Sequence, residues 1–204
     1  HVVENKNKRK KKKRGRYILK KMVAVLFLLL SIFCVLFFLI SRVYDKHISE
    51  RIKIKASDGN YYWIRNTGNK EADIKTAEML SSLNEDIEKL LTVISDNEMV
   101  ERIKKRYKPT RTSEGVVDKR YTSYTINKGE EIIMCLRSRD SDELYDKNKL
   151  MYVMLHELAH IGSLTKNHNE EFRNNFDYLL AEAQKHGLYT PINQQFDYCG
   201  LHVH

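Results

Sequence analysis

The stretch HELAHIGSLTKNH, residues 156–168, sets two histidines four positions apart, with a glutamate after the first and a third histidine eight positions beyond the second. In a helix, positions four apart lie on one face, so His156 and His160 can bind the same zinc ion. Glu157 is displaced around the helix, where it can reach a water molecule as a general base. The motif predicts a zinc-dependent hydrolytic site.

The sequence around the motif predicts that it lies on a helix. Apolar residues recur at intervals of three and four over residues 147–162, and Gly162 is a typical helix end. A second helix is predicted over residues 170–186, with Asn169 as its N-cap. The motif is flanked by uncharged residues, so its three ionisable side chains would be costly to bury without a partner. A bound cation would supply that partner.

A catalytic zinc site uses three protein ligands and keeps an open position for water. The candidates for the third ligand are His168, Glu170, Glu171 and Glu182. We favour His168 because it lies just before the second helix, where the chain must turn back past the first. A glutamate of the second helix, Glu171 or Glu182, is the alternative.

The N-terminal part of the chain has a different character. Residues 22–40, MVAVLFLLLSIFCVLFFLI, contain no charge, proline or glycine. A helix of this length rises about 28 Å, close to the thickness of the bilayer core. Signal peptides have a shorter apolar region and a small-residue cleavage site, and neither is found here. The segment predicts an uncleaved transmembrane signal anchor in the lipid bilayer.

Basic residues before this segment account for the formal net charge of +9 and predict the orientation of the anchor. Eleven lysines and arginines precede the span, and five lie in the fifteen residues after it. This bias predicts a cytoplasmic tail, residues 1–21, and a C-terminal part on the extracytoplasmic, lumenal or virion side, a type II arrangement. A basic tail can instead bind nucleic acid, but the remainder of the chain is nearly neutral, so we expect no specific nucleic-acid partner.

The rest of the chain predicts one α+β domain with helices packed on a short sheet. Residues 41–55 are charged and are predicted as a stalk or as a continuation of the span helix, and residues 56–204 are long enough to bury a core. Cys135 and Cys199 can pair if this domain lies in an oxidising compartment. Turn residues and apolar spacing predict further elements: a strand at 60–65, helices over 70–95 and before Pro109, a hairpin around Asn127–Glu130, and irregular chain over 110–119 and after 187.

Together these features resemble a small zincin of the SprT/WLM type. In that group an HExxH helix is followed by a loop, a third histidine that opens a second helix, and an aromatic residue. The corresponding parts here are HELAH, His168 and Phe172, and EIIMCLR would supply the strand that precedes the helix. Over roughly residues 115–200, VMLHELAHIGSLTKNHNEEF and a later DYCG are similar to uncharacterised membrane-anchored proteins of large DNA viruses that carry a metallopeptidase motif.

The resemblance implies a small zincin fold and peptide hydrolysis, and this chain departs from it in the spacing of its third histidine and in its predicted anchor. The interval between His160 and His168 is longer than is typical of WLM sequences. Ser163 and Lys166 replace the glycine and histidine of the metzincin motif. SprT and WLM proteins mostly act on proteins bound to DNA, and the predicted anchor argues against that substrate here.

The sequence therefore predicts a membrane-anchored zinc metalloendopeptidase that acts on a protein or peptide. We expect Zn²⁺ to be held by His156, His160 and His168, with Glu157 as the catalytic base. The strand around residues 132–136 is a candidate for substrate binding by strand addition. Candidates for a donor to the transition-state oxyanion are Tyr189, Tyr198 and His202.

The alternative is a membrane-anchored structural or interaction protein with a non-catalytic zinc site. A fourth ligand would close such a site, and His186, His202 and His204 are candidates. Glu157 argues against this alternative, because a structural zinc site needs no general base. The oligomeric state and the cleavage specificity are not predicted.

Overall fold

The computed structural model describes residues 21–23, 25–43, 50–116 and 122–203. The chain divides into two compact units, residues 1–48 and 49–204. The predicted basic tail up to residue 20, residues 44–49 of the predicted stalk, part of the predicted loop and His204 lie outside the described residues.

Helix α1, Lys21–Val43, is the described part of the first unit and covers the whole of the predicted span. Its apolar side chains are exposed in every direction around the helix. By length and composition α1 meets the requirements for a membrane span. An N-terminal signal sequence meets the same requirements.

The second unit belongs to the mixed α+β class, as predicted. In chain order its described elements are β1 (Arg51–Lys55), β2 (Tyr61–Arg65), α2 (Lys70–Val93), α3 (Glu98–Arg106), a 3₁₀ turn (Pro109–Arg111), β3 (Thr112–Glu114), β4 (Tyr124–Ile126), β5 (Glu131–Met134), α4 (Lys147–Gly162), α5 (Glu170–Lys185), β6 (Phe196–Tyr198) and β7 (Leu201–Val203).

The strands form three small sheets. Strands β1 and β2 make an antiparallel ribbon, and β6 and β7 make a second one. The third sheet has the order β3-β5-β4, in which β5 is the central strand. Strand β3 runs parallel to β5, and β4 runs antiparallel to it with Thr125 opposite Ile132. Strand β4 is therefore an edge strand of this sheet.

Helix α4 lies at the centre of the unit, in contact with α2, α3, α5 and β4. Most of its apolar residues are fully buried, which explains the uncharged sequence around the HELAH motif. The approach of α3 to α4 is close at Gly162, where an added Cβ would lie 2.7 Å from Cγ of Met99. Any larger residue at that position would require the side chain of Met99, or the two helices, to shift.

Side-chain caps fix where the helices of the second unit begin. Each helix is preceded by an Asn or Asp that accepts a hydrogen bond from the backbone N–H three residues later; these caps are Asn69, Asn97, Asp146 and Asn169. Such a cap contributes about 1 kcal/mol. The four helices of the second unit and the hairpin formed by β4 and β5 are confirmed as predicted, with small shifts at their ends.

Three predictions of irregular structure are wrong. Residues Arg51–Lys55, predicted as stalk, form β1 and pair with β2. Thr112–Glu114, predicted as loop, form β3 beside β5. The predicted irregular tail contains the hairpin of β6 and β7. Strands β1, β6 and β7 alternate apolar and polar residues but are only three to five residues long. Strand β3 has no apolar residue, and its side chains are satisfied by distant parts of the chain.

A buried ion-pair network joins these elements around Arg137. Its guanidinium donates hydrogen bonds to both carboxylate oxygens of Glu114, at 2.8 and 2.5 Å, and to Asp73 at 2.8 Å. A further bond, 2.7 Å long, goes to the backbone carbonyl of Arg65. Arg137, Asp73 and Glu114 are all at most 3% exposed. The network therefore ties α2, β2 and β3 to the chain that follows β5.

We predict that Arg137→Met will lower the free energy of unfolding of the full chain by about 3–5 kcal/mol, because it leaves the buried Asp73 without its charge partner and Glu114 with only Arg65, at 3.8 Å. Equilibrium denaturation in detergent measures the change. Arg111→Met, on an exposed arginine of the 3₁₀ turn, is the matched control and should shift stability by less than about 0.5 kcal/mol. Equal effects of the two substitutions would contradict a special role for Arg137.

Candidate metal centre

Two helices bring the three histidines of the motif together. His156 and His160 lie one turn apart on α4. His168 immediately precedes Asn169, the N-cap of α5, and its backbone carbonyl accepts a hydrogen bond of 3.0 Å from Arg173. The packing of α5 against α4 therefore places His168 over the His156–His160 face.

The ring nitrogens of the three histidines converge. Nε2 of His168 lies 3.0 Å from Nε2 of His160 and 3.1 Å from Nε2 of His156. For comparison, two nitrogens each about 2.0–2.1 Å from a tetrahedral zinc ion lie about 3.3 Å apart. Among the described residues, the histidine, cysteine and carboxylate side chains form one group close enough to share a metal ion, and it consists of these three histidines.

Hydrogen bonding alone does not satisfy this arrangement. A neutral imidazole Nε2 carries either one N–H or one lone pair, so His168 Nε2 can form one good hydrogen bond but has two close nitrogen neighbours. The remaining contact is at best a weaker bond that shares the same N–H or lone pair. A cation at the centre would accept all three lone pairs, so the donor set fits a metal such as zinc.

The environment of His156 and His160 keeps both rings neutral. Phe172 lies against all three rings, with a centroid distance of 4.3 Å to His160. Burial, with the nearby His160 and His168, lowers the pKa of His156 to about 3. Burial, with His168 and Lys128, lowers the pKa of His160 to about 4. Both rings are therefore uncharged near neutral pH and keep the lone pairs that metal binding needs.

Glu157 lies beside this cluster but is held by the sheet. It is 3% exposed, and Oε2 accepts a hydrogen bond of 2.8 Å from Oγ1 of Thr125 on the edge strand β4. Burial raises the pKa of Glu157 to about 7, and the Thr125 bond opposes that rise. Thr125 thus fixes the direction in which the carboxylate points, and its role was missed from sequence because β4 and α4 are far apart along the chain.

An open cavity of about 490 Å³ gives access to the cluster. It is lined by the three histidines and Glu157, together with side chains of the β4 hairpin, α4 and the C-terminal ribbon, which include Thr125, Lys128, Tyr152, Tyr198 and Leu201. Its volume suits a segment of peptide or a small ligand. The cavity therefore combines a candidate metal site, a carboxylate and an edge strand.

Lys128 joins the hairpin turn to the end of the HELAH helix. Its Nζ donates hydrogen bonds to the carbonyls of His160 and Ser163, at 3.0 and 2.8 Å, and to that of Thr165. These carbonyls lie at or beyond the last turn of α4, where a helix has no internal partners for them and where a positive charge is favourable. The turn was predicted, but this contact to α4 was not.

The other candidates for a third ligand have different partners. A carboxylate oxygen of Glu171 accepts a hydrogen bond of 2.8 Å from the backbone N–H of Leu164. Glu182 pairs with Lys185 and lies 3.5 Å from His186. Neither these two residues nor Glu170 belongs to the cluster, which His168 completes.

The three candidates for an oxyanion donor differ in their position relative to the cavity. Tyr198 lines the cavity, and its hydroxyl lies 2.6 Å from the hydroxyl of Ser123. Tyr189 instead packs near Tyr152, and its hydroxyl accepts a hydrogen bond from a backbone N–H. His202 is exposed on β7. Of the three, Tyr198 is the residue that lines the cavity.

The predicted site of strand addition needs correction. Residues 132–136 were expected to bind an extended segment, but β5 is paired on both sides, with β3 and with β4. Its backbone groups are therefore already used within the sheet. The edge strand that borders the cavity is β4, whose Tyr124 and Thr125 line it.

A disulfide bond fixes the C-terminal ribbon beside the cavity. Cys135, just after β5, is joined to Cys199, which follows Tyr198 directly. The backbone N–H of Cys199 also donates to the hydroxyl of Tyr145, at 2.8 Å. The cross-link therefore limits how far Tyr198 and Leu201 can move from the wall of the cavity.

The fold and the histidine cluster define a small α+β domain with a candidate metal site. The model of the WLM domain matches residues 72–203, which is more than half of the chain. The chain therefore belongs to the WLM domain family, a group of SprT- and Wss1-like metallopeptidases. The resemblance predicted from the sequence is confirmed.

Similar proteins come from viruses and yeasts. An uncharacterised protein of Acanthamoeba polyphaga mimivirus is 33% identical over 186 residues, covering 85% of this chain and 91% of that protein. An uncharacterised protein of Invertebrate iridescent virus 3 is 42% identical over 80 residues, which cover 39% of this chain and 50% of that protein. The chain in the crystal structure of Wss1 from Saccharomyces cerevisiae is 23% identical in sequence, with a TM-score of 0.40. The match covers 61% of this chain and 90% of that chain.

We predict that His168→Ala will weaken zinc binding by more than about 100-fold, since even the loss of an outer partner of a zinc ligand costs 10–100-fold. Competition with a zinc-binding dye measures the affinity. Glu171→Gln and Glu182→Gln are the controls and should bind zinc as the unchanged chain does. A loss caused by Glu182→Gln, with none from His168→Ala, would identify the glutamate as the third ligand.

We predict that the double substitution Cys135→Ala and Cys199→Ala will lower the free energy of unfolding by about 2–4 kcal/mol, because the disulfide closes a long loop in the unfolded chain. The two cysteines are 64 residues apart. Cys34→Ala, which removes an exposed cysteine of α1, is the control and should leave stability unchanged. A double variant as stable as this control would contradict the prediction.

Proposed function

We propose that this protein is a membrane-anchored zinc-dependent metallopeptidase that hydrolyses peptide bonds. His156, His160 and His168 hold the zinc ion, and Glu157 is the general base. The observation that carries the proposal is the convergence of three Nε2 atoms beside a buried carboxylate in an open cavity. Membership of the WLM family supports a peptidase.

A zinc ion held by the three histidines would supply Lewis acidity, which polarises the scissile carbonyl group and makes a water molecule easier to deprotonate. Glu157 takes the proton from the attacking water and later gives it to the leaving amine. The hydrogen bond from Thr125 holds one carboxylate oxygen of Glu157 and leaves the other for this transfer. Thr125 is therefore a positioning residue.

The cavity wall supplies the remaining contacts to the substrate. An extended peptide adds to the edge strand β4, which offers backbone hydrogen-bonding groups beside the reactive centre. Tyr198 directs its hydroxyl to the developing oxyanion after exchanging its partner Ser123. The disulfide next to Tyr198 keeps this donor at the wall during the reaction.

Helix α1 anchors the enzyme, with residues 1–21 in the cytoplasm and the peptidase domain on the other side of the membrane. The length and apolar composition of α1 support the anchor, and the excess of basic residues before it supports the orientation. The disulfide between Cys135 and Cys199 agrees with an oxidising compartment. The boundaries that we propose are an anchor at 22–40, with the domain beginning near β1.

We predict that Glu157→Gln will lower kcat/KM by about 10²–10⁴, the usual contribution of a general base, and will leave the zinc content unchanged. The full chain in detergent is incubated with zinc and a peptide library, and cleavage is read by mass spectrometry. Glu170→Gln, on an exposed residue of the neighbouring helix, is the matched control and should cleave at the original rate.

The possible outcomes separate the two function classes. Cleavage by the unchanged chain and by Glu170→Gln, with none by Glu157→Gln, supports the peptidase. One zinc ion per chain without any cleavage would favour the alternative, a membrane-anchored interaction protein with a non-catalytic zinc site. Absence of zinc binding would overturn both.

A further inference from the structure

The outer face of the ribbon formed by β1 and β2 carries a patch of cations and aromatic rings. Alternate residues of each strand point to this face: Arg51, Lys53 and Lys55 from β1, and Tyr61, Trp63 and Arg65 from β2. Lys53 lies opposite Trp63, and Lys55 lies opposite Tyr61. We call these six residues the basic aromatic patch. The opposite face carries Tyr62 and Ile64, which are fully buried in the core.

The aromatic rings of the patch are exposed to an unusual extent. Tyr61 is 51% exposed and Trp63 is 41% exposed. Nζ of Lys53 lies 5.7 Å from the ring centroid of Tyr61 and 5.9 Å from that of Trp63, within reach of a cation–π contact. The two rings are therefore connected through Lys53 into one continuous surface.

The positive charge of the patch is concentrated on two lysines. Arg65 is paired with Asp142 at 2.6 Å, and Arg51 lies 3.8 Å from Glu131. In the part of the chain that the structure describes, no acidic side chain forms an ion pair with Lys53 or Lys55. Both lysines are exposed. Their charge is therefore available to a negatively charged partner.

We propose that the basic aromatic patch docks on the surface of a bilayer that contains anionic phospholipids. Exposed Trp and Tyr beside Lys are the residues that favour the membrane–water interface, where rings enter the headgroup region and amines meet phosphate. β1 begins eight residues after the end of α1, so the chain itself keeps Arg51, the first residue of the patch, within about 28 Å of the end of that helix. The inference rests on the proposed anchor, which keeps the patch beside the leaflet on the domain's side of the membrane, and it requires anionic phospholipid in that leaflet.

The chain offers a direct probe of this docking, because Trp63 is its one tryptophan. The full chain is reconstituted in nanodiscs of phosphatidylcholine, with or without phosphatidylserine. With phosphatidylserine, we expect the emission of Trp63 to move to shorter wavelength and to be quenched by lipids that carry a spin label near the headgroup. High salt should reverse both effects, because the contact is electrostatic.

The substitution Lys53→Gln with Lys55→Gln should lower the docking constant by about 25-fold, at about fivefold for each lysine near an anionic surface. The matched control, Lys89→Gln with Lys105→Gln, removes two exposed charges from α2 and α3 and should leave the Trp63 signal unchanged. An equal loss in both variants would overturn the proposal, as would a Trp63 signal that does not depend on phosphatidylserine.

Two further measurements separate this inference from the proposed function. Resistance to alkaline carbonate extraction tests the anchor, and peptide cleavage tests the peptidase. An anchored and active chain whose Trp63 does not respond to phosphatidylserine would reject the docking alone. A chain that carbonate extracts, but whose Trp63 responds to added anionic vesicles, would reject the anchor alone. Quenching of Trp63 by a single-stranded oligonucleotide, without any response to lipid, would assign the patch to nucleic acid and overturn the proposal.

Discussion

The buried guanidinium of Arg137 is the interaction on which the rest of the second unit depends. It neutralises Glu114 and Asp73 in a site that excludes water, and it also holds the backbone carbonyl of Arg65. A buried charge with a missing partner is far more costly than the pair is favourable. The network therefore contributes less to net stability than to the choice of one arrangement, since α2, β2 and β3 must all be in place for the charges to be satisfied together.

The positions of the residues that line the cavity depend indirectly on this network. Arg137 lies three residues after the end of β5, and β5 is bonded to β4, which supplies Thr125 to Glu157. The turn between these two strands supplies Lys128 to the end of α4. The disulfide at Cys135 connects the same strand to the ribbon that carries Tyr198. The sheet therefore controls both the direction of the carboxylate and the opposite wall of the cavity, while α4 and α5 alone provide the three histidines.

This division explains which features could be predicted from sequence. The helices follow from local signals, the recurrence of apolar residues and the caps at Asn69 and Asn169, so the histidine cluster on α4 and α5 could be anticipated. Strand β3 could not, because the polar side chains of Thr112, Ser113 and Glu114 are satisfied by Asn84, Glu131 and Arg137. These partners are distant in sequence, and a strand of three residues is too short to show a periodicity from which it could be predicted. Thr125 and Lys128 were missed for the same reason.

The three histidines also place a condition on folding. Their Nε2 atoms are brought within hydrogen-bond distance of one another by the packing of α5 on α4, yet the single N–H or lone pair of His168 Nε2 cannot form two good hydrogen bonds at once. With zinc bound as proposed, all three lone pairs would be used, and the binding free energy of the metal would add to the stability of the domain. The junction of α4 and α5 should therefore be the part of the domain whose order depends most on the metal, whereas the Arg137 network holds the remaining elements whether or not the metal is present.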